Sequence, residues 1–323
     1  MTQSSYPGYA AADGEKYRFF DVAHEGAQAR SVAGVVESGR LDRLHGMRPR
    51  SVVVVATDQV SRAAARAVNT LRCPLRQPVV VTDSLPSYFG ALDILVVVGE
   101  RNSAAAHHAL TTASSRGAVT VLAGTEGPVA EDAPGDTVVL PVLPTTLGFS
   151  PARTIIALSV VLDLLEEEPG LVVQRLHSIA EAIDAELASL SPERDIAVNP
   201  GRGLRGHVEG ARIVHTGNRA VAEVVATVWT LKGLPSAVAD VEELPGVLAD
   251  QDPEQDLFHD PFLDGPGGML PLKAVVWAAD LQGVPGASVQ NCSEEPPGPI
   301  AEALVLITRG FAATTYSTDP EEY

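Results

Sequence analysis

The sequence predicts an α/β protein built from two similar modules in tandem, each a parallel sheet flanked by helices. Short runs of β-branched residues alternate with longer Ala-rich or amphipathic segments, which is the pattern of strands and helices following one another. The alternation occurs in both halves of the chain, and a long amphipathic segment separates the halves. With 323 residues, of which 45% are hydrophobic, each half can bury a core of its own.

Four segments follow from this division. We expect an N-terminal tail and leading helix at 1–40, a first module at 41–168, a linking amphipathic helix at 169–198 and a second module at 199–323. Residues 1–15 are polar and Gly-rich, and we expect them to form a flexible tail.

The first module contains the longest uninterrupted strand runs. Predicted strands lie at 50–56, 78–82 and 136–142, and the stretch 93–124 supplies a strand–helix–strand unit. Four or five parallel strands with helices on both faces result. Because ligands of such sheets sit at the carboxyl ends of strands, the turn at 99–103 is the expected ligand site.

The linking segment and the second module repeat this pattern. Ser150 and Pro151 predict the N-cap and first position of a helix that ends near Glu166. From Val172 to Leu190 apolar residues recur every three or four positions, which is typical of a long helix packed between domains. Further on we predict strands at 211–215, 271–277 and 286–290, helices at 219–231 and 299–310, and a long acidic surface loop at 245–268.

Charge and composition exclude several kinds of partner. The net charge of -18 disfavours nucleic acids and anionic membranes. Cys73 and Cys292 are the only cysteines and lie far apart, so neither a disulfide framework nor a zinc site is indicated, and we expect no metal or other cofactor. The polar N-terminus has no signal segment, and the apolar run 154–165 is too short to span a bilayer, so a cytoplasmic protein is expected.

One stretch departs from the acidic average. Between 40 and 76 the chain carries eight arginines against only Asp42 and Asp58. The arginines are Arg40, Arg43, Arg48, Arg50, Arg62, Arg66, Arg72 and Arg76. Two interpretations stay open: a small anion such as a sugar phosphate is attracted to this stretch, or the arginines form a solvated helix face.

Four short motifs occur in an order that is shared with a known family. They are ASSRGA at 113–118, GFSPART at 148–154, the Asn199-Pro200 start of the second half, and FAATTYSTDP at 311–320. In this order they resemble the sugar isomerase (SIS) fold, and more narrowly the bifunctional phosphoglucose/phosphomannose isomerase branch and its TobH relatives. The resemblance covers the chain from about residue 40 and implies two tandem SIS-type modules.

The resemblance also implies where a sugar phosphate would bind. The family has a turn similar to G-M-G-G-S after its first strand and S-x-S-G-N-T after its central strand. Here these places read ATDQV at 56–60 and VGERNS at 98–103. Glu100 replaces a phosphate-binding serine and would repel a phosphate unless Arg101 compensates.

Five residues remain as candidates for ligand binding. Asn102 and Ser103 match the family pattern, although an ordinary helix cap accounts for them equally well. The full set is Ser61, Arg101, Asn102, Ser103 and Thr216.

The family's catalytic groups have no counterpart at their expected places. The resemblance implies a glutamate base within N-E-N, a ring-opening histidine within N-H-N-E and a C-terminal lysine. The matching region 229–245 contains neither motif, and the sequence to Tyr323 lacks the lysine helix. Weak replacements are His215, Glu242 and Glu243, since a Glu/His pair can share proton transfer.

Two hypotheses about function follow. In the first, the fold is kept and isomerase chemistry is lost, so the protein binds a carbohydrate derivative as a sensor or pairs with an active isomerase as a regulatory subunit. In the second, it is an active aldose–ketose isomerase on hexose 6-phosphates with relocated groups. In either case we expect a homodimer, with the 172–190 stripe contributing. Nicotinamide enzymes and serine hydrolases are disfavoured, because no G-x-G-x-x-G follows the first strand and G-x-S-x-G is absent.

Overall fold

Two parallel sheets flanked by helices confirm the predicted fold class. The structure is a computed structural model that describes residues 7–124, 126–143, 145, 148–249, 270–280, 284 and 286–317. Among these residues, no helix has both the length and the apolar content needed to cross a bilayer.

The first sheet has five strands in the order β2-β1-β3-β4-β5, all parallel. They are β1 (Val52–Ala56), β2 (Val79–Thr82), β3 (Ile94–Gly99), β4 (Val119–Gly124) and β5 (Val138–Val139). Strands β1 and β3 are buried at every position, as expected for central strands covered on both faces. Strand β5 is much shorter than the predicted 136–142, since Pro141 cannot donate a ladder hydrogen bond.

Helices cover both faces of this sheet. They are α1 (Pro7–Ala23), α2 (Glu25–Glu37), α3 (Gln59–Leu71), α4 (Ala104–Ser115), α5 (Pro128–Glu131), α6 (Pro151–Leu164) and α7 (Pro169–Ser189). Ser150 caps α6 as predicted, accepting a hydrogen bond from the backbone N–H of Arg153 at 3.1 Å.

The N-terminal region differs from its prediction, because α1 already begins at Pro7 within the expected flexible tail. A contact distant in sequence holds this helix. The carboxylate of Glu15 is buried and pairs with Arg202 on α8 (Pro200–Val208), with Nη1 and Oε1 3.2 Å apart. The backbone N–H of Ser317 donates to the same carboxylate at 2.6 Å.

The second sheet has four parallel strands in the order β7-β6-β8-β9. They are β6 (Arg212–Gly217), β7 (Ser236–Val238), β8 (Leu272–Trp277) and β9 (Ala287–Gln290), accompanied by α9 (Arg219–Leu231), α10 (Leu244–Ala249) and α11 (Pro299–Ala313). Helix α10 occupies the start of the predicted loop at 245–268, and the remainder of that loop lies outside the described residues.

Helix α7 connects the two sheets through the apolar stripe that the sequence predicts. Val172, Leu176, Ile179 and Ile183 are buried, and α7 packs against α2 on the first-sheet side and α11 on the second. A buried ion pair reinforces the second contact, with Arg309 Nε 2.7 Å from Glu186 Oε1. Because the stripe is covered within the chain, it offers no free apolar face to a second copy.

Candidate functional site

The carboxyl ends of β1 and β3 lie side by side, which brings two loops together. Ala56 pairs with Val98 in the sheet register, so the loop after β1 meets the turn after β3. Gly99 has φ of +110°, and a Cβ there would lie 2.4 Å from Thr57 Oγ1 and 2.5 Å from Asp58 Oδ2. Only glycine fits both the backbone angle and this close approach.

Asp58 fills the place where an anionic ligand would find backbone donors. Its Oδ1 caps α3 by accepting from the Ser61 N–H at 2.8 Å, and the Ser61 hydroxyl donates to its Oδ2 at 3.0 Å. The same Oδ2 accepts the Glu100 N–H at 2.9 Å, across from the neighbouring strand. The Arg101 N–H is bound in turn by Thr57 Oγ1 at 3.2 Å. The first two N–H groups after β3 therefore have partners inside the chain.

The predicted ligand residues of this turn are engaged as caps. Ser103 Oγ accepts the Ala105 N–H at 3.2 Å at the start of α4, and Asn102 Oδ1 accepts the Val129 N–H at 3.4 Å at the start of α5. Arg101 and Asn102 are exposed and Ser103 is half-buried, so contact with a ligand stays a prediction for all three. Ser61, another predicted ligand residue, is buried with its hydroxyl on Asp58.

Glu100 lies in a nearly closed environment beside α6. Its Oε1 is 3.5 Å from Arg153 Nη1, and the two side chains are 13% and 3% exposed. Arg153 Nη2 also donates to the carbonyl of Leu140 at 3.1 Å. Burial lowers the pKa of Arg153, and the charge of Glu100 opposes that shift. Compensation for Glu100 thus comes from Arg153 on α6.

A buried carboxyl group that the sequence did not reveal lies next to this pair. Glu25 is 1% exposed; it accepts the Ser150 hydroxyl at 2.5 Å and the Ala152 N–H at 2.8 Å, both at the start of α6. Burial raises the pKa of Glu25 to about 7; the two hydrogen bonds lower it, and the charges of Asp21 and Glu100 raise it. Glu25 therefore titrates near neutral pH.

Asp21 and Lys232 continue this group of charged side chains toward the second sheet. Asp21 is buried and accepts the Thr145 hydroxyl at 2.9 Å, and Lys232 Nζ lies 4.0 Å from its Oδ2. Burial lowers the pKa of Lys232, whereas Asp21 raises it. We call Asp21, Glu25, Glu100, Arg153 and Lys232 the interface cluster. Nothing in their local sequence marks these residues, because the contacts join segments far apart in the chain.

The interface cluster contains one group, Glu25, whose pKa suits proton transfer, but a substrate has little access to that group. A carboxyl group that titrates near neutral pH is an effective general acid or base. However, both oxygens of Glu25 are occupied by α6, and the side chain is enclosed. The arrangement is suited to fixing α2 against α6 rather than to reaching a substrate.

The predicted catalytic residues of the second half do not form a site with one another. His215 is fully buried between Trp229 and Trp277, and Trp277 Nε1 donates to its Nδ1 at 3.1 Å. Burial lowers the pKa of His215 to about 3, so the ring is neutral. Glu242 and Glu243 are exposed and precede α10, whose Leu244 packs on the opposite face of the sheet with Val214 and Ala274.

Thr216, the remaining ligand candidate, is 1% exposed. Its hydroxyl has no hydrogen-bond partner among the residues that the structure describes. Within the same described ranges, no three His, Cys, Asp or Glu side chains are grouped as a metal ion would require.

Most arginines of the cationic stretch form contacts inside the chain. Arg50 pairs with Asp93, Arg62 with Asp83, Arg72 with Asp163 and Arg76 with Glu166, while Arg40 and Arg43 donate to carbonyls of 139 and 120. Arg48 and Arg66 are exposed, and neither guanidinium has a partner in the described part of the chain. Most of these arginines therefore have partners within the fold, and Arg48 and Arg66 remain as unpaired cations among the described residues.

Comparison with known proteins identifies relatives by structure alone. No protein-family model matches the sequence, and no curated protein matches it. The tagatose-6-phosphate ketose/aldose isomerase of Escherichia coli superimposes with a TM-score of 0.59 at 14% identity, covering 94% of each chain. A second match is the C-terminal domain of glucosamine-fructose-6-phosphate aminotransferase from Francisella tularensis (TM-score 0.57, 12% identity, 93% of this chain and 94% of that one).

A third similar structure is a glucose-6-phosphate isomerase-like protein from Thermus thermophilus. Its TM-score is 0.53 at 16% identity, with 95% of this chain and 92% of that one covered. Nearly complete coverage in both directions means that the likeness includes both sheets. The chain therefore has the SIS-type fold of phosphosugar isomerases.

Proposed function

We propose that this protein is a SIS-type binder of carbohydrate derivatives that lacks isomerase chemistry and acts as a sensor or as the regulatory partner of an active isomerase. The observation that carries this proposal is the position of Asp58, whose carboxylate accepts the Glu100 N–H at 2.9 Å. The module boundaries at 41–168 and 199–323, the kinship with the phosphoglucose/phosphomannose isomerase branch and its TobH relatives, a cytoplasmic location and a homodimer belong to the same proposal.

Electrostatics at the turn supports a ligand without phosphate. Asp58 places a carboxylate at the carboxyl edge of the first sheet, and the neighbouring carboxylate of Glu100 is paired with Arg153. A phosphate charge about 4 Å from the carboxylate of Asp58 would be repelled by about 4 kcal/mol at an effective dielectric constant of about 20. Sugar hydroxyls or an ammonium group can instead donate hydrogen bonds to carboxylates. A neutral sugar or an aminosugar is therefore favoured over a hexose phosphate at this turn.

A thermal-shift panel tests the ligand class. The panel contains hexoses, aminosugars and their 6-phosphates at equal concentration and ionic strength. We expect at least one unphosphorylated sugar to raise the Tm more than its phosphate does. Asn102→Ala should reduce that increase, whereas Thr111→Ala, exposed about two turns along α4, should not. A panel in which only the 6-phosphates stabilise the protein would refute the proposed ligand class.

One observation favours an active aldose–ketose isomerase with relocated groups as a second candidate. It is the pKa of about 7 for Glu25, which lies near the expected ligand edge. A coupled assay from fructose 6-phosphate to glucose 6-phosphate or mannose 6-phosphate separates the two candidates. We expect no turnover above the uncatalysed rate. Turnover that Glu25→Gln abolishes would instead establish the second candidate.

The homodimer is tested by size-exclusion chromatography with light scattering. A mass of twice the chain is expected across the usual range of protein concentration, and a clean monomer would contradict this part of the proposal.

A further inference from the structure

A short segment before α6 lies against the turn after β3. It consists of residues 148–150, and we call it the covering segment. Gly148 has φ of +80°, and a Cβ at this position would lie 3.8 Å from the Cβ of Glu100. The Glu100 side chain is only 13% exposed, although its neighbour Arg101 is exposed. The covering segment therefore limits access to the turn that the sequence marks as the expected ligand site.

Two contacts hold the covering segment in place. At one of them Phe149 stacks on Phe311 of α11, with the ring centroids 5.3 Å apart. At the other, the Ser150 hydroxyl donates to Glu25 Oε1 at 2.5 Å, and the Ala152 N–H at the start of α6 donates to Oε2 at 2.8 Å. The first contact is apolar and carries no titratable group, whereas the second includes a carboxyl group whose charge depends on pH.

The charges that face Glu25 are unbalanced unless it binds a proton. Asp21 of α1 and Glu100 are the other two carboxylates of the interface cluster, and Arg153 and Lys232 are its two cations. Three carboxylates therefore lie beside two cations in a largely enclosed place. A third negative charge there costs desolvation as well as repulsion. A proton on Glu25 removes both costs.

Charged groups just outside the cluster do not supply a further cation to Glu25 within the part of the chain that the structure describes. On the α7 side, Asp184 is paired with Arg30. Arg18 of α1 lies near Lys232, but it is exposed and its Nε–H donates to the carbonyl of Thr315 at 2.9 Å. The excess carboxylate is thus a property of the cluster itself.

We propose that the covering segment is a proton-controlled cover over the turn after β3, closed while Glu25 carries a proton and released as that proton is lost. Once Glu25 ionises, any arrangement that exposes its carboxylate to water is favoured over the enclosed one. Separation of the covering segment from α2 exposes that carboxylate and also uncovers Glu100. The cover regulates the site of the proposed function and rests on that function only for its biological role, because its test uses no ligand.

Proton linkage gives the size of the effect. The pKa of Glu25 is about 7 in the enclosed state, against 4.5 for the free group. The ratio of open to closed molecules therefore rises by up to about tenfold per pH unit between these two values and is level outside them. The total change is about 300-fold.

Amide hydrogen exchange measured by NMR tests the cover in the full chain. The Ala152 N–H donates to Glu25 in the closed state and reports opening, while the amide of Val96 in the central strand β3 reports global unfolding. After correction for the intrinsic pH dependence of exchange, we expect Ala152 to be less protected than Val96. Its protection should fall by about 300-fold from pH 4.5 to 7, and this fall should be absent in Glu25→Gln.

Two further measurements make the test specific. His24→Asn removes the half-buried imidazole next to Glu25, which belongs to the other residue type that ordinarily titrates in this range, and the variant should keep the full fall. The carbon NMR shift of the Glu25 carboxyl group in the wild type should have a midpoint near pH 7, which is measurable even if Glu25→Gln does not fold.

Four outcomes would overturn the proposal. The first is a midpoint of Glu25 below about pH 5, close to that of a free carboxyl group. The second and third are a fall in protection that Glu25→Gln retains or that His24→Asn abolishes. The fourth is equal protection of Ala152 and Val96, because only global unfolding would then expose Glu25.

Discussion

Replacing Asp58 with alanine removes three hydrogen bonds at once. The carboxylate accepts from the Ser61 N–H, the Ser61 hydroxyl and the Glu100 N–H. Loss of an N-cap costs about 1 kcal/mol. The Glu100 N–H then lacks its acceptor in a partly buried place, which costs about 1–3 kcal/mol more. We therefore expect Asp58→Ala to lower the free energy of unfolding by about 2–4 kcal/mol.

Equilibrium unfolding in urea measures this loss, with two companion variants. Asp58→Asn keeps an N-cap but offers one oxygen fewer, so an intermediate loss is expected. Asp132→Ala removes an exposed aspartate and should change stability by no more than about 0.5 kcal/mol. If Asp58→Ala is no more destabilising than Asp132→Ala, Asp58 does not hold the turn after β3, and our account of the closed anion site is wrong.

Three other experiments test separate features. Glu25 has a folded pKa of about 7 against 4.5 for the free group, so its contribution to stability is full below pH 4.5 and is lost as pH rises through 7. Glu25→Gln should remove about 3 kcal/mol of that pH dependence. If the urea midpoints of the wild type and of Glu25→Gln change in parallel from acid to alkaline pH, this prediction is wrong. Gly99→Ala should destabilise the protein by more than about 2 kcal/mol in thermal unfolding, because its φ is +110° and loop oxygens lie within 2.5 Å of the new Cβ. Arg309→Met should cost about 3–5 kcal/mol by stranding the buried carboxylate of Glu186, and Glu186→Leu in the same chain should recover most of it; equal losses in the single and double variants would refute the pairing.

The sheet architecture could be predicted because it is encoded locally. Strand β1 consists of four valines and an alanine, and β3 is apolar throughout its first five residues. Such uninterrupted apolar runs are typical of central strands that a parallel sheet buries on both faces. The Ser150-Pro151 pair likewise predicts the start of α6 from two adjacent residues. By contrast β7 is three residues long, and α8 contains three glycines, so neither has a clear pattern.

The position of His215 was harder to predict, for a geometric reason. The predicted strand ends at 215, whereas β6 continues to Gly217. Two additional residues move His215 from the carboxyl end of the strand into its interior. Side chains alternate along a strand, so His215 shares the face of Ile213 and contacts the two buried tryptophans.

The groups around the candidate site could not be predicted, because the contacts that bring them together join segments far apart in the chain. Glu25 meets Ser150 and Ala152, and Lys232 meets Asp21, each across a large part of the chain. The sequence predicts one carboxylate, Glu100, at the turn after β3. The role of Asp58 cannot be predicted locally, because it depends on the pairing of β1 with β3.

Heteronuclear NMR of the Glu100 and Arg101 amides tests the central claim most directly. These are the two N–H groups that Asp58 and Thr57 occupy. During titration of the wild type with glucose 6-phosphate we predict that neither amide shifts, whereas in Asp58→Ala the Glu100 amide, which has lost its acceptor, does shift. Saturable shifts of both amides in the wild type would contradict the account, because the anion site would then be open in the native protein.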